Sequence, residues 1–256
     1  MRKQDISEFI ALTQCTKEIA RKYLSRNNGA LDYALNDYYD SETGSFVIKQ
    51  KVYPSELIAV FENYRDRESD KILADGLITY IGDLGYQLED ITTLCLTDLL
   101  QCSSLEEGIT RDQFLSNWLD HECKNLRHMK AMMDRMKDKL QDDAAYFNSI
   151  YISTFELTLE ENQKQLDVDT AVSYWQLFFP DTKQYAIKVD KTRMDSWYRF
   201  VNTNTSKISK DVWQMFLMFI TKFPDNESLR QNYNELDAWP LLIDEYYEYL
   251  EDIGQV

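Results

Sequence analysis

A chain of 256 residues with 44% hydrophobic content is long enough for one large domain or two smaller ones, with ample apolar material for a core. Its formal net charge of -16 argues against nucleic acid and an anionic membrane surface as partners, and points instead to a basic protein. Seven Gly and four Pro are few, which favours an all-α fold over a turn-rich sheet protein.

Residues 5–40 divide into three short apolar-periodic pieces, built on Phe9, Ile10 and Leu12, then Ile19, Ala20, Tyr23 and Leu24, then Leu31, Ala34, Leu35 and Tyr38. Thr16 can cap the second piece and "RNNG" can stop it, so a compact three-helix domain is expected over residues 4–41. The mixed-polarity stretch 42–54, closed by Pro54, reads as a linker.

From Ser55 to the end, residues 55–256, the pattern is helical throughout. Helices are predicted near 55–65, 75–84, 89–100, 110–120, 122–140, 142–158, 168–178, 190–201, 208–222 and 237–252. In the fifth, Leu126, Met129, Met133, Met136 and Leu140 recur three or four apart, while Lys124, Arg127, Lys130, Arg135 and Lys137 take the other faces. That Met stripe reads as core in preference to a binding groove. Trp118, Trp175, Trp197, Trp213 and Trp239 fall one per predicted helix, as core anchors would.

Residues 1–40 balance their charges, so the whole acidic excess belongs to residues 41–256. It is most concentrated in "DAWPLLIDEYYEYLED", residues 237–252, where Asp237, Asp244, Glu245, Glu248, Glu251 and Asp252 have no counter-ion within the segment. Its apolar members Trp239, Leu242, Tyr246 and Leu250 would hold a last helix to the core, leaving the acid for a cationic partner.

The residues that could carry chemistry are few. "DRESDKILADGL", residues 66–77, places Asp66, Glu68 and Asp70 as in a calcium loop. It then has Lys71 where the turn needs Gly and Leu77 where a bidentate Glu belongs, so EF-hand-like geometry without metal is expected. A second such helix pair, with Ile109 in its loop, lacks the acidic ladder. Cys15, Cys95, Cys102 and Cys123 form no CxxC pair and read as reduced thiols. His121 and Cys123, two apart on a predicted helix, point in different directions and cannot form a thiolate pair there. With no GxSxG and no phosphate-cradling Gly-rich loop, the chain is expected to carry no catalytic residue, cofactor or metal of its own.

The stretches "LDVDTAVSYWQLFF", "MDSWYRFV", "ISKDVWQMFLMF" and above all "NELDAWPLLIDEYYEYL" resemble the defective-in-cullin-neddylation family over nearly the whole chain, in its fungal branch. The resemblance implies an N-terminal ubiquitin-associated domain followed by an all-helical potentiating-neddylation domain. It implies a soluble protein of nucleus and cytoplasm that acts as a scaffold-type ligase. Such a protein brings the conjugating enzyme, charged with a ubiquitin-like modifier, to a cullin lysine. It also implies the partner sites. Asp211, Ala238 and Asp244 would converge into an acidic dock for the cullin's C-terminal winged-helix subdomain. Leu77, Leu84, Thr93, Leu96, Leu100, Ile109, Leu157, Tyr174 and Leu177 would form an apolar pocket for the acetylated N-terminal Met of the conjugating enzyme. Thr13, Gln14 and Cys15, where many ubiquitin-associated domains carry Met-Gly-aromatic, would meet ubiquitin or its relative together with Asp37 and Tyr38. The competing expectation is a ubiquitin-binding adaptor with no effect on cullin modification.

Overall fold

The computed structural model describes residues 3–13, 15, 17–40, 52–102, 107–160, 162–234 and 236–256. The chain divides into two compact units, residues 1–52 and 53–256, each with its own hydrophobic core.

In the first unit, α1 (Lys3–Thr13), α2 (Lys17–Arg26) and α3 (Leu31–Asp40) enclose Phe9, Ala20, Tyr23, Leu24 and Ala34. The "RNNG" stop works through two left-handed residues, Asn28 at φ 53° and Gly29 at φ 80°. The Gly29 N–H donates to the Leu24 carbonyl at 2.7 Å, closing α2 in a Schellman turn. Thr16 and linker residues 41–51 lie outside the described residues.

The second unit opens with α4 (Ser55–Tyr64), β1 (Lys71–Ile72), α5 (Ala74–Asp83), α6 (Ile91–Leu99), β2 (Ile109–Thr110) and α7 (Arg111–Asp120). Ile72 pairs antiparallel with Ile109, so two helix–strand–helix pieces are tied through their loops. In the first of those loops Asp66 accepts the N–H groups of Glu68 at 2.9 Å and Ser69 at 2.8 Å, spending its carboxylate on its own turn. Close approach sets residue choice at Gly76, where a Cβ would lie 2.0 Å from the Tyr64 carbonyl oxygen. Gly76→Ala must push α5 off α4 and is expected to cost roughly 1–3 kcal/mol. A thermal-unfolding midpoint equal to that of the parent would refute this.

Next come α8 (Leu126–Asp142) and α9 (Ala144–Leu157). The Met stripe of α8 is core, with Met129, Met133, Met136 and Leu140 buried. The helix starts at Leu126 rather than at 122, because Glu122 is left-handed at φ 58° and Asn125 caps by accepting the His128 N–H. His121 and Cys123 therefore lie in the α7–α8 turn, not on a helix. The Cys123 thiol donates to the His121 carbonyl at 3.5 Å.

The remainder is β3 (Gln165–Asp167), α10 (Val168–Phe178), α11 (Lys191–Asn204), β4 (Lys207–Ser209), α12 (Lys210–Lys222), α13 (Asn226–Asn232) and α14 (Leu241–Asp252). A second ribbon sets Leu166 opposite Ile208. Its core is aromatic and hydrogen-bonded. The Tyr151 and Trp213 rings stack at 4.5 Å, the Trp213 indole donates to the Tyr151 carbonyl at 2.9 Å, and the Tyr151 hydroxyl donates to the Trp213 carbonyl at 2.8 Å. The Trp175 indole donates to that same hydroxyl at 2.8 Å, so the polar tips of Tyr151, Trp175 and Trp213 are all satisfied. Arg193 is buried with its guanidinium over the Phe219 ring at 5.3 Å, and burial holds its pKa below the ordinary value.

Two further features depart from the sequence expectation. α13 was not foreseen; it buries only Leu229 and so has no apolar period, and it rests on a capping box between Asp225 and Ser228. α14 starts at Leu241, not at 237, because Pro240 has no N–H to give and sits at the cap, leaving Trp239 before the helix.

Candidate functional site

Ser209 caps α12 by accepting the Val212 N–H at 3.2 Å, which places Asp211 in the first turn. A carboxylate there is favoured by the free N–H groups and the helix dipole. Asp211 is exposed and makes no hydrogen bond or ion pair among the described residues.

Ala238 is exposed on the short stretch leading into α14. That stretch is clasped to the far end of α12. Lys222 Nζ meets Asp237 Oδ2 at 2.8 Å and lies over the Trp239 ring at 5.4 Å, while Trp239 packs edge-on to Phe219 at 5.6 Å. Asp244, half-buried in the first turn of α14, accepts a hydrogen bond from the Tyr233 hydroxyl. Tyr233 is itself stacked on Tyr247 at 3.9 Å. Ile243, Tyr246 and Leu250 seat α14, and Leu242 and Trp239 are half-buried.

One expectation changes here. The acid of residues 237–252 is not wholly left for a partner, since Asp237 is neutralised by Lys222 and Asp244 has a phenolic donor. Both come from chain positions outside the segment, and the tertiary fold brings them in. Asp211 begins α12, and Trp239 packs beside Phe219 and Phe223 at its end; at 1.5 Å per residue their separation along the axis is about 12–18 Å. Asp211 and the stretch around Ala238 are thus served by opposite ends of α12, which spreads these positions into an elongated face.

A cleft of about 630 Å³ opens between α6 and α10. Its wall is mostly apolar, from Leu88, Leu94, Tyr174 and Leu177, with Thr93, Thr97, Ser173 and Gln176 alongside and Glu89 and Asp90 at the α6 end. Of the nine residues expected around an apolar pocket, Thr93, Tyr174 and Leu177 line it. Leu77, Leu84, Leu96, Leu100, Ile109 and Leu157 are buried in the core and do not. Thr97 and Leu94 were missed. The available signal for Thr97 was its spacing of one helical turn from Thr93.

In the first unit Thr13 donates its hydroxyl to the Phe9 carbonyl at 2.6 Å, and Cys15 is half-buried. Gln14 lies outside the described residues. Asp37 accepts from Asn27 Nδ2 at 2.9 Å and pairs with Arg26 Nε at 3.4 Å. Tyr38 packs edge-on to Phe9 at 5.6 Å and Tyr23 at 5.2 Å. Asp37 and Tyr38 thus help to hold the three-helix unit together.

The thiols of the second unit are poor nucleophiles. Burial pushes Cys95 up to about 12 and Cys102 up to about 11, and raises Cys123 as well. Among the described residues no group of three or more His, Cys, Asp or Glu could hold a metal ion, and no helix is long and apolar enough to cross a membrane.

Comparison with known proteins bears directly on this arrangement. The cullin-binding family model matches residues 128–249, which include the elongated acidic face, and a UBA-like domain model matches residues 3–45. The defective in cullin neddylation protein 1 of Eremothecium gossypii is 43% identical over 251 residues, covering 98% of this chain and 96% of that protein. The chain belongs to the defective-in-cullin-neddylation family. The proteins of the same name from Saccharomyces cerevisiae and Candida glabrata are 40% and 42% identical, each across 98% of this chain and covering 94% and 96% of their own lengths. Membership of this family fits an all-α chain whose exposed carboxylates and apolar cleft lie in one helical unit.

Proposed function

We propose that the chain promotes cullin neddylation as a scaffold, gripping the cullin with the α12–α14 face and the conjugating enzyme with the α6–α10 cleft. Asp211 and Asp244 would meet Lys or Arg heads on the winged-helix subdomain of the cullin, with exposed Ala238 allowing close approach between them. The cleft would take the acetylated N-terminal Met of the conjugating enzyme, Thr93, Thr97, Tyr174 and Leu177 forming its wall. The observation that carries the reading is the exposed, unpartnered Asp211 in the first turn of α12, inside a stretch matched by the cullin-binding model. Such a protein needs no acid, base or nucleophile. Holding the charged thioester beside the acceptor lysine is enough, since orientation alone is worth up to about 7–11 kcal/mol in ideal intramolecular cases, and two weak contacts reinforce each other through effective concentration.

The test is a reconstituted neddylation reaction with the whole chain, with residues 53–256 alone, and without either. Residues 53–256 should stimulate cullin modification by themselves. A ubiquitin-binding adaptor would bind through residues 1–52 and leave the rate unchanged. The UBA-like match favours some binding of ubiquitin or its relative by the first unit.

A thiol relay is separable from a scaffold in the same assay. With Cys15, Cys95, Cys102 and Cys123 all replaced by Ala, stimulation should stay within about twofold of the parent, because the three thiols most shielded from water are held protonated. Abolished activity in a variant that keeps its helical signal would overturn the scaffold reading.

A further inference from the structure

A second groove, of about 390 Å³, lies along α8 where it meets α6 and α9, with no lining residue in common with the cleft. Leu99 and Met136 form a buried floor, with half-buried Met132 and Tyr146 beside them. Arg135 and Lys139 stand exposed above it, four residues apart on α8, and His121 closes one end. Neither Arg135 nor Lys139 makes an ion pair among the described residues. Lys139 instead rests over the Tyr146 ring at 5.5 Å. Elsewhere on the same helix Lys130 is paired with Asp134 at 3.3 Å, and both Lys130 and Lys137 cover the Tyr86 ring. Among the described residues, Arg135 and Lys139 thus leave two cations without a carboxylate partner above a thioether floor, on a chain of net charge -16.

We propose that this groove docks an acidic amphipathic helix of a partner protein. A Leu-sized or Phe-sized anchor would enter between Met132, Met136 and Tyr146, whose thioethers adapt to irregular shapes. Carboxylates one helical turn apart would meet Arg135 and Lys139, matching the roughly 5–6 Å between side chains at that spacing. Asp98, the one carboxylate at the rim, sets the orientation: the docked helix turns its acidic flank to α8 and an uncharged or cationic flank to α6. This surface is basic, so it asks for chemistry opposite to that of the cullin partner proposed above, and its lining shares no residue with the cleft.

The probe is a fluorescein-labelled 15-residue helical peptide with Leu every third or fourth position and Glu four apart along one flank, measured by anisotropy against the full chain. The peptide should bind saturably. Arg135→Glu with Lys139→Glu should weaken it at least about tenfold, whereas Lys124→Glu with Arg127→Glu, the same charge change elsewhere, should leave it within about twofold. Replacing Glu by Gln in the peptide should weaken it similarly, and Met132→Gln should reduce affinity with the helical signal retained. Absence of binding, equal loss in both charge-reversal variants, or equal binding of the Gln peptide would each overturn the proposal. So would stronger binding to anionic vesicles or to RNA than to the peptide, which would mark mere adsorption to cations.

Discussion

Reversing both carboxylates, Asp211→Arg with Asp244→Arg, is expected to lower cullin affinity at least about a hundredfold and to remove stimulation of neddylation, while the helical signal persists. Each reversal replaces an attraction by a repulsion at a partly desolvated contact, where losing one member of a charged pair costs roughly 2–5 kcal/mol. The two positions differ in what the fold itself asks of them. Asp211 is exposed and bonded to nothing among the described residues, so its replacement should act on binding alone. Asp244 also receives the Tyr233 hydroxyl, so part of its effect could arise from a loosened start of α14. Tyr233→Phe separates the two, since it removes the hydroxyl, keeps the ring stacked on Tyr247, and leaves the carboxylate in place. Cullin binding by Tyr233→Phe should remain within about threefold of the parent. Titration calorimetry against the cullin C-terminal subdomain measures both variants. Unchanged affinity in the folded double variant would remove the assignment of this face.

The second large effect concerns the end group of the peptide in the α6–α10 cleft. A conjugating-enzyme peptide with an acetylated N-terminal Met is expected to bind at least about a hundredfold more tightly than the same peptide with a free amine. An ammonium taken into a wall of Leu94, Tyr174 and Leu177 must shed water without a partner, at a cost of several kcal/mol, or lose its proton. The pH dependence follows with a definite sign. Binding of the free-amine peptide should strengthen as pH rises past the ordinary α-amino pKa of about 7.7–8.0, because the neutral form is the one the cleft accepts, and binding of the acetylated peptide should stay flat. Glu89 and Asp90 offer the alternative of holding the amine outside the cavity. In that case the two peptides would bind within about threefold of each other, and the cleft would not be a terminus-binding site. Leu177→Arg, which places a charge in the cavity, should abolish binding of the acetylated form.

Much of the fold was legible because helical periodicity survives wherever one face is buried. The Met129–Met133–Met136–Leu140 stripe of α8 and the Tyr246–Leu250 pair of α14 are of this kind, whereas buried Ile243 was passed over in favour of Leu242, which is half-buried. α13 was illegible for the converse reason: one buried leucine in seven residues makes no period, and the Asp225 and Ser228 caps alone were too weak a sign. The start of α14 was misplaced although Pro240 marks it, because the apolar pattern runs on through Trp239. The acidic face was legible as residue types but not as a shape. Sequence separation says nothing of the helix axis that sets Asp211 apart from Ala238, nor that Lys222 would reach Asp237. Of the cleft, Thr93, Tyr174 and Leu177 were named beforehand through the family resemblance, and Leu94 and Thr97 were not. On α6 nearly every residue is buried, so no polarity pattern distinguishes Thr93 and Thr97, which face the cleft, from Leu96, which faces the core.

The placement of the five tryptophans gives the molecule an optical reporter. Trp118, Trp175, Trp197 and Trp213 are fully buried, whereas Trp239 is half-buried and adjoins Ala238. A neutral quencher such as acrylamide will reach Trp239 first, and the red edge of the emission spectrum belongs to that indole. A guest seated over Ala238 would screen it, shifting emission to the blue and blunting quenching, so occupancy of this face can be followed in solution without any added dye.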